Sequence, residues 1–275
     1  MSYKKDLIAI QGIIGSFHHE VGVNCYGENS SFVECSTFDE LVETIIEKKV
    51  TKGIMAIENS IVGSIIPNYA LIDNYKLNII GEYFLNINHN LLALKGQEIN
   101  DLNEVHSHPM AILQCKKFFK KYKNIKLIES DDTAETAKNI SEKQILNIGA
   151  IASISAARLY GLEVLSKSIQ TIKNNITRFV IVENHRSNKN KHFDKASLKF
   201  ILNHQRGSLA NVLKIMSDFK LNLTKIQSLP VIERPGKYAF FVDVTFEEVE
   251  NYNEACFKLL KIAQEFKILG EYKKA

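Results

Sequence analysis

Cysteine is scarce in this chain. Four occur in 275 residues, at Cys25, Cys35, Cys115 and Cys256, all far apart. No Cys-x-x-Cys pair and no Cys/His ligand spacing exists among them, so redox-pair and zinc-ribbon readings fall away and reduced, packing thiols are expected. Histidine offers a metal no more. His18 and His19 are adjacent, and neighbouring helix positions point in different directions. His106 and His108 flank one serine, with no third ligand spaced to join them. A site without metal is expected. No apolar run approaches the length that spans a bilayer. The start, Met1-Ser-Tyr-Lys-Lys-Asp6, leads into a short strand-like segment and not into the long apolar region of a signal peptide. A cytoplasmic protein with no membrane partner is expected. The net charge of +4 is spread along the chain without a block of like charges, which removes the clustered Lys/Arg footprint of a nucleic-acid binder.

What is present is an ordinary globular composition, 45% hydrophobic and 24% charged. The length admits two domains with sizeable cores. Through the first 185 residues strand-like runs alternate with helical ones. Residues 7–10, 53–57, 77–80 and 148–152 read as strands; residues 38–48, 109–122 and 133–143 read as helices. That alternation predicts an α/β architecture with mostly parallel strands. Residues 185–195 turn polar, with Phe193 as the single apolar residue, and are expected to form a linker that adds little to a core. Beyond it the order is strand (196–204), helix (208–220), strand (222–232), an Arg-Pro-Gly-Lys turn (234–237), strand (238–246), helix (251–266) and strand (267–272). That is βαββαβ, a ferredoxin-like module.

Three features carry possible chemistry. Gln11-Gly-Ile-Ile-Gly-Ser16 joins a strand to a helix, where backbone N–H groups can approach an anion; a plain tight turn reads equally well. Glu58-Asn59-Ser60 follows a buried strand, at the end of a parallel strand where open α/β sheets bind ligands; the alternative is a polar turn with a capping serine. Thr177-Arg178 opens an apolar strand and offers a hydroxyl beside a cation, although Arg178 could be a surface ion-pair partner.

Taken in order, the motifs resemble the prephenate dehydratase family. They are Gln11-Gly-Ile-Ile-Gly-Ser-Phe17, Ile57-Glu-Asn-Ser-Ile-Val-Gly63, Ser107-His-Pro-Met-Ala-Ile-Leu-Gln-Cys115, Asp132-Thr-Ala134, Ile151-Ala-Ser153, Leu159-Tyr-Gly-Leu162 and Asn175-Ile-Thr-Arg-Phe179. The family usually has a proline where Ala56 stands. The resemblance implies a two-lobed, periplasmic-binding-protein-like catalytic region over 1–185, with one subdomain at 1–82 and 168–185 and a second at 83–167. A linker would occupy 186–195 and a regulatory ACT domain 196–275. It implies the decarboxylating dehydration of prephenate to phenylpyruvate, with no cofactor. Thr177 would then serve the leaving hydroxyl, and Asn59, Ser107 and Gln114 would orient substrate. Glu58 would orient Asn59 or shuttle a proton. Arg178 and the N–H groups around Gly12, Gly15 and Ser16 would bind carboxylates, with Ser60 and Thr133 lining the same cleft; a helix cap is the other reading of Thr133.

The C-terminal module resembles an ACT domain, which implies L-phenylalanine as effector and a homodimer or homotetramer. Its candidate residues are Gly207, Ser208 and Leu209 at the first helix, and Gln227, Ser228, Leu229 and Pro230. At the latter many family members have Glu-Ser-Arg-Pro, so both charges are lost here. Two rivals stand beside this reading: arogenate dehydratase, and a non-catalytic sensor of small acids. A fused chorismate mutase domain is not expected, since neither end carries a long helical extension.

Overall fold

The computed structural model describes residues 7–184, 192–231, 234 and 236–275. The elements run β1 (Leu7–Gln11), α1 (Phe17–Tyr26), β2 (Ser31–Cys35), α2 (Phe38–Ile46), β3 (Lys52–Asn59) and β4 (Gly63–Ser64). Next come α3 (Ile66–Asn74), β5 (Asn78–Asn86), β6 (Asn90–Ala93), β7 (Glu104–Ser107), α4 (Pro109–Phe119), β8 (Lys126–Glu129) and α5 (Thr133–Glu142). Then follow β9 (Ile148–Ala152), α6 (Ile154–Leu159), β10 (Glu163–Ser166) and β11 (Ile176–Glu183). The chain ends with β12 (Lys195–Ile201), α7 (Ser208–Asp218), β13 (Asn222–Pro230), β14 (Tyr238–Thr245), α8 (Val249–Ile262) and β15 (Glu265–Tyr272).

Contacts divide these elements into two compact units. One takes the described residues up to Gly63 together with Phe84–Phe179, and the other takes Ser64–Tyr83 with the described part of Val180–Ala275. The first unit holds two α/β lobes. In one lobe β1 lies between β2 and β3, parallel to both, and β11 flanks β3. Strand β3 is apolar on both faces, as a covered parallel strand must be, and Ile54, Met55 and Ile57 are buried. Helix α2 starts where Thr37 accepts a hydrogen bond from Glu40 N (3.1 Å) and the Glu40 carboxylate accepts one from Ser36 N (2.6 Å). It turns Leu41, Val42 and Ile45 inward.

The other lobe is a five-stranded sheet in the order β10-β6-β9-β7-β8. Side-chain alternation divides its strands between two cores. Leu91, Ala93 and Ile151 pack with Ala111, Cys115 and Phe119 of α4, while Leu92, Ala150 and Ala152 pack with Ala134, Ala137 and Ala156 of α5 and α6. The mixed α/β class with two lobes is therefore as the sequence predicted.

The second unit contains the βαββαβ module. Its strands stand in the order β13-β14-β12-β15, each antiparallel to its neighbours. Val212 and Met216 of α7 and Tyr252, Ala255 and Leu259 of α8 pack on Ala196, Leu198 and Phe200. Several boundaries move. Strand β12 already begins at Lys195, inside the expected linker, and Phe193 does join the core, edge-on to Phe246 and Tyr252. Residues 185–191 of that segment, and Ile232 and Pro235 of the expected turn region, lie outside the described residues. Helix α8 ends at Ile262, so Glu265 and Phe266 belong to β15. Helices α2 and α4 stop at Ile46 and Phe119, short of the predicted ends.

Residues 64–83 pack within this second unit, whereas the sequence division had grouped them with the catalytic region. Strand β5 lies parallel to β15, with Ile79 opposite Gly270. A Cβ on Gly270 would stand 2.1 Å from the Ile79 carbonyl oxygen, so only glycine permits this approach. Charged groups tie the same segment down: Lys195 Nζ lies 2.8 Å from Glu82, and Lys199 Nζ 2.5 Å from Asp73. Among the described residues no helix is long and apolar enough to cross a membrane.

Candidate active site

The site begins where β3 ends. Asn59 Oδ1 accepts hydrogen bonds from the N–H groups of Ile61 (2.9 Å) and Val62 (3.0 Å), an Asx turn that fixes which end of the amide is oxygen. Its Nδ2 must then face the other way, and it donates to Thr177 Oγ1 (2.8 Å) and to Asn175 Oδ1 (2.7 Å). A backbone clip holds the two segments in place. Ser60 N donates to Ile176 O (2.8 Å), Ile176 N donates to Ser60 Oγ (2.9 Å), and Ser60 Oγ donates to Asn174 O (3.3 Å).

The polarity propagates into the second lobe. Asn175 is fully buried; with Oδ1 toward Asn59, its Nδ2 donates to Gln114 Oε1 (2.8 Å) on α4. His89 Nε2 lies 3.1 Å from the same oxygen. Oxygen can only accept there, so His89 carries its proton on Nε2. One ordered chain thus runs from the backbone turn at Asn59 through Asn175 to Gln114, with His89 at its end. Burial pushes the His89 imidazole down to about 4, against a smaller upward effect of its bond to Gln114, so the ring is neutral near pH 7.

The expected site residues distribute unevenly around this chain. Thr177, Asn59 and Gln114 come together. Ser107 is fully buried at the end of β7 and donates to Ile151 O (2.7 Å), so it braces the sheet beneath α4. Ser60 is spent in the clip. Adjacent strand residues point to opposite faces, so Glu58 and Arg178 lie on the other face of the sheet from Asn59 and Thr177. Arg178 is buried there. Thr133 occupies the first turn of α5, but the cap is Asp132, whose Oδ1 accepts from Ala134 N (2.7 Å) and Glu135 N (2.9 Å).

The Gly12–Ser16 loop is held by hydrogen bonds from both lobes. The N–H of Gly12 donates to Cys35 O, that of Ser16 to Ile13 O, and that of Ile14 to the Glu34 carboxylate at 2.6 Å. Ser16 Oγ caps α1, accepting from His19 N (3.2 Å). From the second lobe, Ser153 Oγ donates to Gly15 O (2.9 Å) and Tyr160 OH donates to Ile14 O. Gly15 sits at φ +95°, and a Cβ there would stand 3.2 Å from the Tyr160 ring, so its glycine serves the contact between lobes. Within the loop only Ile13 and Gly15 keep N–H groups without a partner among the described residues, and the Glu34 carboxylate beside them opposes an anion.

Two members of the chain were not singled out as site residues from sequence. Asn175 had a signal: it stands two residues before Thr177, on the same side of an extended segment. His89 had none, because an isolated histidine between two asparagines carries no spacing.

The fold and the site together define a two-lobed α/β protein whose lobes are linked by a chain of neutral hydrogen-bonding side chains. Residues 8–187 match the family described as prephenate dehydratase. A bifunctional chorismate mutase/prephenate dehydratase of Buchnera aphidicola is 33% identical, over 87% of this chain and 63% of that protein, so the chain spans under two thirds of that relative. Arogenate dehydratase 2 of Petunia hybrida is 34% identical over 96% of this chain and 71% of its own. A prephenate dehydratase of Methanocaldococcus jannaschii is 36% identical over 80% of each chain. Among solved structures, the prephenate dehydratase of Arthrobacter aurescens in complex with L-Phe has a TM-score of 0.87 at 23% identity, over 97% of this chain and 89% of that one. A protein described as a quorum quenching acylase, GqqA, has a TM-score of 0.85 at 25% identity, over 98% of each. The chain belongs to the prephenate dehydratase family.

Proposed function

We propose that this chain converts prephenate to phenylpyruvate, water and carbon dioxide, with Thr177 as donor to the departing hydroxyl. The observation that carries the reading is the direction of the Asn59–Thr177 hydrogen bond. Thr177 Oγ1 accepts from Asn59, so its own proton is directed elsewhere, at a strand end facing the second lobe. In the reaction the ring carboxylate leaves as carbon dioxide. The electron pair of that C–C bond enters the ring, the C–O bond breaks, and the departing oxygen takes a proton to become water. A threonine hydroxyl is too weak an acid to supply that proton unaided at neutral pH; it acts as a positioned donor that relays one. A preorganised donor of this kind contributes about 3–4 kcal/mol to barrier lowering. Gln114 presents its amide N–H groups on the side away from Asn175, where they serve a substrate carboxylate, and the Thr133 hydroxyl lines the same cleft.

Phenylpyruvate formation from prephenate, measured beside a Thr177→Val control, tests this reading. Turnover lost in the variant supports it, and no turnover by folded wild type overturns it. The Petunia relative favours a second substrate, arogenate, the amino-acid counterpart of prephenate. Parallel assays separate the two.

The C-terminal residues 196–275 are proposed as an ACT domain that binds L-phenylalanine, the ligand of the Arthrobacter structure. Gly207 opens α7 at φ +83° without a side-chain cap; the Ser208 N–H donates to Gln205 O (3.2 Å), and those of Leu209 and Ala210 have no partner among the described residues. Beside them is a cavity of about 130 Å³ lined by Leu202, Asn203, Gln205, Ser208, Leu209 and Phe240. Gln227, Ser228, Leu229 and Pro230 lie on β13, the edge strand of the module, which suits pairing with a second copy in a homodimer or homotetramer. A cytoplasmic location accords with this biosynthetic role.

A further inference from the structure

His89 contributes nothing to the elimination as drawn so far, yet its ring is built into the site. Its backbone is pinned on both sides: His89 N donates to Gln170 Oε1 (3.0 Å), and Ile169 N donates to His89 O (2.7 Å). The ring is 5.7 Å from Phe17, edge to face, and the residue is only 5% exposed. Within this packing Nδ1 is buried and has no hydrogen-bond partner among the described residues. A buried acceptor left bare is unfavourable, and an apolar side chain would avoid it. What a histidine adds in return is the Nε2–H, and that group meets Gln114 Oε1.

We infer that His89 is a positioning residue: as the Nε2–H tautomer it locks the Gln114 amide, so that the Gln114 NH₂ is held toward the substrate. The inference rests on the prephenate dehydratase reading and extends it. Gln114 Oε1 receives two hydrogen bonds, from Asn175 Nδ2 and His89 Nε2. Both lone pairs are then engaged, and a flip of the amide would set its NH₂ against two donors. Asn175 alone leaves the amide a hinge about one bond. His89 supplies the second point, and two points fix the plane.

The test is a set of variants read kinetically and by NMR. A glutamine side chain places an amide nitrogen near the histidine Nε2 position, whereas asparagine falls short of it. His89→Asn is expected to lower kcat/KM about 100-fold, the scale of a misplaced binding group, with thermal stability close to wild type; His89→Gln recovers most of that loss. In a Gln114→Ala background His89→Asn has little further effect, because the two residues act as one. Independently of activity, ¹⁵N shifts of the His89 ring should show a protonated Nε2 and a bare Nδ1 in one unaveraged tautomer. The inference is overturned by an Nδ1–H tautomer, by His89→Asn with wild-type kinetics, or by a loss that persists undiminished in the Gln114→Ala background. A wild-type protein inactive on both prephenate and arogenate overturns the assigned reaction instead, and the tautomer still decides the link between His89 and Gln114.

Discussion

Thr177 receives the hydrogen bond that joins it to Asn59 and does not give it, because the Asn59 oxygen is occupied by the N–H groups of Ile61 and Val62. The direction of a 2.8 Å contact therefore decides where a proton 118 residues away along the chain can point.

Asn59→Asp keeps the size of the side chain and removes the donor. The Thr177 hydroxyl then donates to a carboxylate oxygen and is withdrawn from the leaving group. Turnover is expected to fall about 100- to 1,000-fold with little change in KM, as for loss of one preorganised donor. Steady-state kinetics beside Thr177→Val check this; a double variant should lose little more than either single one.

Acid should destabilise the protein well before its carboxylates protonate. Burial holds His18 down to about 3 and His89 to about 4, so both stay neutral in the fold while the unfolded chain charges near 6.5. The stability they sustain is complete above pH 6.5 and is lost as pH falls toward their folded values. At pH 5 the two together cost about 4 kcal/mol relative to pH 8. Urea titrations at pH 8 and pH 5 measure it, and His18→Phe should remove part of the slope.

Lys195 and Glu82 form a buried ion pair 2.8 Å apart, with side chains 7% and 1% exposed. Lys195→Met alone leaves a buried carboxylate without its cation and is expected to cost about 3–5 kcal/mol. Lys195→Met with Glu82→Leu should recover most of that loss, because the pair's attraction largely offsets its desolvation. Denaturant midpoints of the single and double variants settle the matter.

Gly270→Ala must push β5 and β15 apart, since the new methyl would stand 2.1 Å from the Ile79 oxygen. Overpacking of this kind costs at least about 1–3 kcal/mol. The melting temperature should drop, while the same change at Gly161, where a Cβ meets nothing within 4 Å, carries only the strain of its φ of +65°.

The elements were legible in the sequence wherever one periodicity ruled a segment. Helix α2 with Leu41, Val42 and Ile45, and β3 with its unbroken apolar run, are of this kind. What misled was local composition. Lys195 and Phe193 read as linker because a lysine in a polar run looks solvated, but its partner Glu82 lies 113 residues away. Spacing also cannot show that Tyr160 and Ser153 meet the glycine loop from another lobe. The motif residues Thr177, Asn59 and Gln114 come together through Asn175, and alternation along β11 and β3 sets Arg178 and Glu58 on the opposite face. His89 was out of reach, since its role depends on a contact with α4 and not on any spacing.

The parallel pairing of β5 with β15 also limits how the chain can be cut. A segment from the first third of the sequence, 64–83, completes its packing with β12 and β15, near the other end of the chain. A truncation placed at the polar run before Lys195 would strip Ile79 of its strand partner and leave Asp73 and Glu82 without their lysines. The βαββαβ module is thus no detachable cassette. Gene fusions that graft it onto another enzyme at that junction would have to carry residues 64–83 as well, and they lie in the wrong place in the reading frame to travel with it.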